Sequence, residues 1–245
     1  MKELREKIEY LLQNSDGDKA VVESIKNGSS AEPFGTESIM MAYLLSIGKI
    51  SFEDYLAMQN EFNDRVRKSN PYLYLFDMAP RTFGQTWGEQ YIMQLFPQFI
   101  KATKQNLLQV YPSFDGEFDL WFDGIRVEVK ACRANDTTRK GSLFSRAYSH
   151  EEAQRMNFQY HFQQLKPSCC DVFIWIGVCK DVLLYWVISS KQLRQTGKLV
   201  SQHRREQSDS ASDEVFEGQV FMTEEELLPF SIEEADLLAE VRSLK

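Results

Sequence analysis

Apolar residues recur every three to four positions through residues 4–12 and 39–47, the period of a helix with one buried face. Ser51 followed three residues later by Asp54 is an N-terminal capping pattern, and the spacing carries that helix to about residue 67. Residues 1–80 are therefore expected to form a helical accessory region. A further helix is predicted over residues 86–95, after Gly84, with Trp87, Tyr91 and Leu95 on one face. The period then shortens. Strands are predicted at residues 107–111, 117–122 and 125–131, a helix at 149–165, and strands at 171–178 and 182–188. The last two are almost wholly apolar, as a sheet covered on both faces requires. Residues 202–212 are polar and read as a loop, 215–222 as an edge strand, and Ser231 with Glu234 as the cap of a final helix. Strands interleaved with helices predict an α/β protein with a mixed central sheet flanked by helices. Its core would occupy residues 81–230 and its C-terminal helix residues 231–245.

The most constrained segment is residues 117–130. Asp123-Gly124 between two alternating runs is a strong hairpin signal, because a two-residue type I′ turn needs positive φ at both central positions. Counting outward, Phe122 faces Ile125, Trp121 faces Arg126, Leu120 faces Val127, Asp119 faces Glu128, Phe118 faces Val129 and Glu117 faces Lys130. One face is then apolar. The other carries Glu117, Asp119 and Trp121 against Arg126, Glu128 and Lys130. Opposed Cβ atoms lie about 5 Å apart in such a pair, so Asp119 and Glu128 could share one cation, and without it they would repel.

Charge and composition decide what such a site could meet. The 245 residues carry a net charge of −8, which argues against a phosphate partner until its distribution is considered. Residues 206–245 hold twelve acids against Arg242 and Lys245, so the remainder is near +2. Residues 191–205 hold Lys191, Arg194, Lys198, Arg204 and Arg205 with no acid, and Arg126, Lys130, Arg133, Arg139, Lys140, Arg146, Arg155 and Lys166 cluster after the hairpin. These basic stretches suit a phosphate backbone, with Arg133, Arg139, Lys140, Arg146, Arg204 and Arg205 as candidate DNA contacts; Arg146, Arg204 and Arg205 could also read base edges. Cys132, Cys169, Cys170 and Cys179 lack zinc-site spacing and are expected to be reduced and packed. His150, His161 and His203 are scattered and expected to be structural. No run reaches the roughly 20 apolar residues of a membrane span, and residues 1–10 lack the apolar centre of a signal peptide, so a cytoplasmic location is expected.

Two carboxylates and an adjacent ammonium suit Mg²⁺-assisted phosphodiester hydrolysis, with Asp119 and Glu128 as metal ligands and Lys130 beside the reacting phosphate. At Phe118-Asp119 and Glu128-Val129-Lys130 the sequence resembles the PD-(D/E)xK nucleases, with Phe118 where the motif's name has proline. Residues 158–167, 171–178 and 185–188 look like the second half of several type II restriction endonucleases. The resemblance spans residues 82–188. It implies a restriction-endonuclease-like fold, Mg²⁺ dependence with Mn²⁺ able to substitute, double-stranded DNA as substrate, a homodimer, and a further acid on the helix before the sheet, for which Glu89 is the candidate. Two alternatives stay open: a structure-specific repair or recombination nuclease of the same fold, and a non-catalytic DNA-binding protein with a decayed site.

Overall fold

The computed structural model describes residues 6–8, 10–11, 35–202 and 217–244. Helices α1 (Gly35–Ser46) and α2 (Phe52–Ser69) follow the apolar period, and α2 starts where expected. The Ser51 side chain accepts from the Asp54 amide while the Asp54 carboxylate accepts from the Ser51 amide, which satisfies donors that a helix start leaves open. Met41, Leu44, Met58 and Phe62 close a small core of their own together with Ile8. A helical turn, Pro80–Thr82, then runs through a π-helical stretch, Phe83–Trp87, into α3 (Gly88–Leu95).

Among the described residues the main sheet has six strands in the order β1 (Ile100–Lys101), β2 (Leu120–Phe122), β3 (Ile125–Arg133), β5 (Val172–Val178), β6 (Leu183–Ser189) and β9 (Ser231–Ile232). Only β3 and β5 are parallel; the other neighbours are antiparallel. The chain is thus mixed α/β, with a mixed six-stranded sheet flanked by helices. Between β3 and β5 it passes through α4 (His150–Arg155) and β4 (Gln159–Leu165). β4 pairs with β8 (Gly218–Thr223), and β8 with β7 (Val200–Ser201), in a second sheet. Helix α5 (Ser190–Gln195) follows β6, α6 (Glu224–Leu227) follows β8, and α7 (Leu237–Ser243) ends the described chain.

All seven residues of β5 are buried, which confirms a strand covered on both faces. On one face Ile92 of α3, Leu75, Phe76 and Phe83, and Leu237 and Val241 of α7 pack on Leu120, Val127, Val129 and Ile174. On the other, Tyr160 and Phe162 of β4 and Val220 and Met222 of β8 pack on Phe173, Trp175 and Trp186.

Several expected elements differ. Residues 107–111 form turns, because Leu107 alone is drawn into the core while Leu108 and Val110 stay exposed. The helix expected at 149–165 stops at Arg155; Asn157 adopts φ 48° and the chain re-enters as β4, where Tyr160 and Phe162 are buried at strand period. β8 is the centre of its sheet, not an edge. Ser231 does not cap a helix: it pairs with Trp186, and the Glu234 carboxylate accepts from the Tyr91 and Tyr185 hydroxyls at 3.1 and 2.7 Å. The C-terminal segment therefore adds a strand to the main sheet as well as a helix. No helix among the described residues is long and apolar enough to cross a membrane.

Candidate active site

Asp123 and Gly124 turn with φ of 49° and 86°, and the register is the one counted from the turn, Phe122 with Ile125, Trp121 with Arg126 and Leu120 with Val127. Beyond Leu120 the pairing changes. The Asp119 amide donates to Val127 O at 3.1 Å, so two residues of the outgoing chain oppose one of β3. Phe118 is carried to the other face, where it packs with Phe114 and Trp121 instead of joining Val129. Glu117 does not meet Lys130; its carboxylate accepts from the Asp115 amide at 2.7 Å.

The irregularity brings Asp119 to the centre of the site. Its Oδ2 accepts from the Val129 amide at 2.9 Å, the position a main-chain carbonyl would take in a regular ladder. One carboxylate oxygen is thus fixed against β3 beside Glu128. Glu128 is 6% exposed, and Lys130 Nζ stands 2.7 Å from its Oε1. Burial pushes Glu128 up to about 7, Lys130 opposes that rise, the Asp119 charge adds to it, and Lys166 opposes it again. Burial alone would lower the Lys130 ammonium, but the Glu128 and Asp119 charges outweigh it and hold the pKa above its ordinary value. Asp119 does not pair with Glu128 across the ladder as the turn register predicts, but the bulge leaves it close enough for its charge to act on both Glu128 and Lys130.

Such a donor set fits a hard divalent cation. Mg²⁺ commonly takes one or two protein carboxylates and fills its remaining positions with water and phosphate oxygens. Among the described residues no group of three or more His, Cys, Asp or Glu side chains is placed to hold a metal, so Glu89 does not complete a third-acid set. Its carboxylate is instead ion-paired with Lys101 of β1.

The candidate DNA contacts separate. Arg133 is a tether: Nη1 donates to Leu75 O and Met78 O at 3.0 and 2.9 Å, and the guanidinium lies 4.3 Å over the Phe83 ring. Arg146 Nη1 donates to Asp136 O and Arg139 O, closing the loop that exposes Arg139 and Lys140. Arg204, Arg205 and His203 lie outside the described residues. His150 and His161 are structural, bonded to Glu224 and Gln219 respectively, and the cysteines are free thiols.

Two features escaped the sequence. Asp171 grips Arg126 through both carboxylate oxygens and its amide donates to Arg126 O, locking β3 to β5 at the hairpin end. And because β4 is a strand, its side chains line a groove of about 900 Å³ that reaches Lys130. The signal for the second was the alternation of Tyr160 and Phe162 with polar residues. No protein-family model matches the chain, and no curated protein matches it in sequence.

Proposed function

We propose that the chain is a Mg²⁺-dependent endonuclease acting on double-stranded DNA, a type II restriction enzyme of the restriction-endonuclease-like fold. The observation that carries this reading is the convergence of Asp119, Glu128 and Lys130 at the end of an antiparallel hairpin. The topology supports it: the last hairpin strand, β3, runs parallel to β5 after a crossover that contains α4.

Asp119 and Glu128 would hold the cation, Asp119 through the oxygen that does not accept from Val129 and Glu128 through the oxygen that does not face Lys130. When bound, Mg²⁺ supplies charge neutralisation and a water of lowered pKa for in-line attack on phosphorus. Lys130, held against Glu128, sets an ammonium where a phosphoryl oxygen gains negative charge. The hydrogen bond from the Val129 amide keeps the Asp119 carboxylate oriented before substrate arrives.

The test is digestion of plasmid DNA by the full chain with Mg²⁺. Asp119→Asn and Lys130→Met should each lower cleavage by about 100-fold or more, with the melting transition and duplex binding in Ca²⁺ retained. Full cleavage by either variant refutes the reading. Discrete fragments identify a sequence-specific enzyme, whereas a smear identifies a structure-specific or end-directed one.

A further inference from the structure

We infer that Gln163 and Gln164 of β4 read adenine in the major groove of the DNA, which makes them specificity residues of the proposed nuclease; the inference rests on that reading. Both side chains are exposed and both line the groove that reaches Lys130. In a regular strand, consecutive side chains point to opposite faces, so two neighbours could not share one groove.

The backbone is built to make them share it. The pairing of β4 with β8 slips between Phe162 and Leu165, and Gln164 adopts φ 56°. Phe162 and Leu165 are both buried in the same core, and the two amides between them are both turned outward. A left-handed non-glycine residue in a bulge is strained, and such bulges are a recurrent means of aiming side chains at functional sites. The bulge is braced from behind, since the Gln164 amide donates to Gln202 Oε1 at 2.6 Å.

Gln163 is braced too. Its Nε2 lies 3.3 Å from His161 Nδ1, the ring's Nε2 lies 2.8 Å from Gln219 Oε1, and the ring stacks on Phe221 with centroids 3.9 Å apart. An amide held in orientation can use its carbonyl and its nitrogen together, the pair of contacts that matches adenine N6 and N7. β4 carries no arginine or lysine, the side chains that favour guanine O6 and N7.

The groove is also coupled to the chemistry. The His161 amide donates to Cys132 Sγ at 3.3 Å, so β4 touches β3 two residues past Lys130. Two residues of strand from Lys130 to Cys132 and two more from His161 to Gln163 span at most about 14 Å, or about four base-pair steps. The adenines read by Gln163 and Gln164 should therefore lie within a few base pairs of the cut.

The experiment selects random-sequence duplexes bound by the full chain in Ca²⁺, with a parallel Mg²⁺ digestion of the same library, and sequences both. The wild type should enrich a motif with adenine at defined positions. Gln163→Ala and Gln164→Ala should each lose one adenine preference, and cleavage of the enriched motif should fall about 5- to 150-fold. Retained folding is checked by the melting transition, and Gln163→Asn should recover part of the preference that Gln163→Ala loses. An unchanged motif in both alanine variants, or cleavage by the wild type with no adenine preference, overturns the inference and leaves the nuclease reading standing. A wild type that neither cuts nor enriches any duplex overturns both.

Discussion

Glu128 and Lys130 project from the same face of β3 and meet at 2.7 Å, yet the carboxyl is raised to about 7 and not lowered. Burial outweighs the ammonium, and Asp119 adds a second negative charge. Between about pH 4.5 and 7 the folded chain therefore binds more protons than the unfolded chain, and the contribution of this group to stability falls as pH rises through that window. Without divalent cations, the melting temperature of Glu128→Gln should rise relative to wild type from pH 5 to 7 and level off above it. The difference corresponds to about 1–3 kcal/mol. Because a metal needs the ionised carboxylate, Mg²⁺ affinity should drop as pH falls below 7, with proton release seen by calorimetry at pH 6 and not at pH 8. Equal affinity at the two pH values would show that Glu128 is not a ligand.

Arg126 and Asp171 join β3 to β5 just before their parallel pairing begins at Val127 and Val172. Burial alone would raise the Asp171 carboxyl, but hydrogen bonds from the Arg126 side chain and amide hold it below its ordinary value. The stability it contributes is present above pH 4 and lost as pH falls through the lowered folded value. Asp171→Ala should destabilise the chain by about 1–3 kcal/mol at pH 7, measured by urea denaturation, and the deficit should shrink towards pH 2. A variant as stable as wild type at pH 7 would show that the fork contributes nothing.

Arg133 and Lys140 were equivalent as basic residues in the sequence and differ in the structure. Arg133→Ala removes two hydrogen bonds to buried-side carbonyls and a cation–π contact, and should cost about 2–4 kcal/mol. Lys140→Ala should leave the melting temperature unchanged and make the slope of log binding constant against log salt shallower by about 0.9 if it meets a phosphate. The reverse pattern in paired melting and salt-titration measurements would overturn this division.

The hairpin was legible because its turn chemistry and alternation act locally: Asp123-Gly124 sets the register, and period two sets the faces. That was enough to put Glu128 and Lys130 on one face, but Asp119 reaches them through the irregularity beyond Leu120, which the local pattern did not predict. What lay outside local pattern was misread. Phe118 changes face because Phe114 and Trp121, not Val129, offer the apolar surface it fills. Residues 159–165 had an apparent helical continuation from α4, and only their pairing with β8, some sixty residues later, makes them a strand. Arg133 looked like a phosphate contact because the carbonyls of Leu75 and Met78 that hold it are more than fifty residues away.

Gly177 of β5 sits beneath Trp186 of its own sheet and Tyr160 of the second sheet. A Cβ there would lie 2.5 Å from Trp186 Cη2 and 2.8 Å from Tyr160 Cε1. Both rings are buried and pack against each other, tilted by 59° with centroids 4.9 Å apart, so neither can swing into solvent. Gly177→Ala should therefore destabilise the chain by about 1–3 kcal/mol, lowering the melting temperature by roughly 2–12 °C for a protein of this size. Two of the three closest contacts are with the outer ring of the indole, which phenylalanine lacks, and the third is with the Tyr160 ring. Trp186→Phe should thus cost stability in the wild-type background and cost less in the Gly177→Ala background. Strict additivity of the two changes in a thermal double-mutant cycle would rule out the packing conflict.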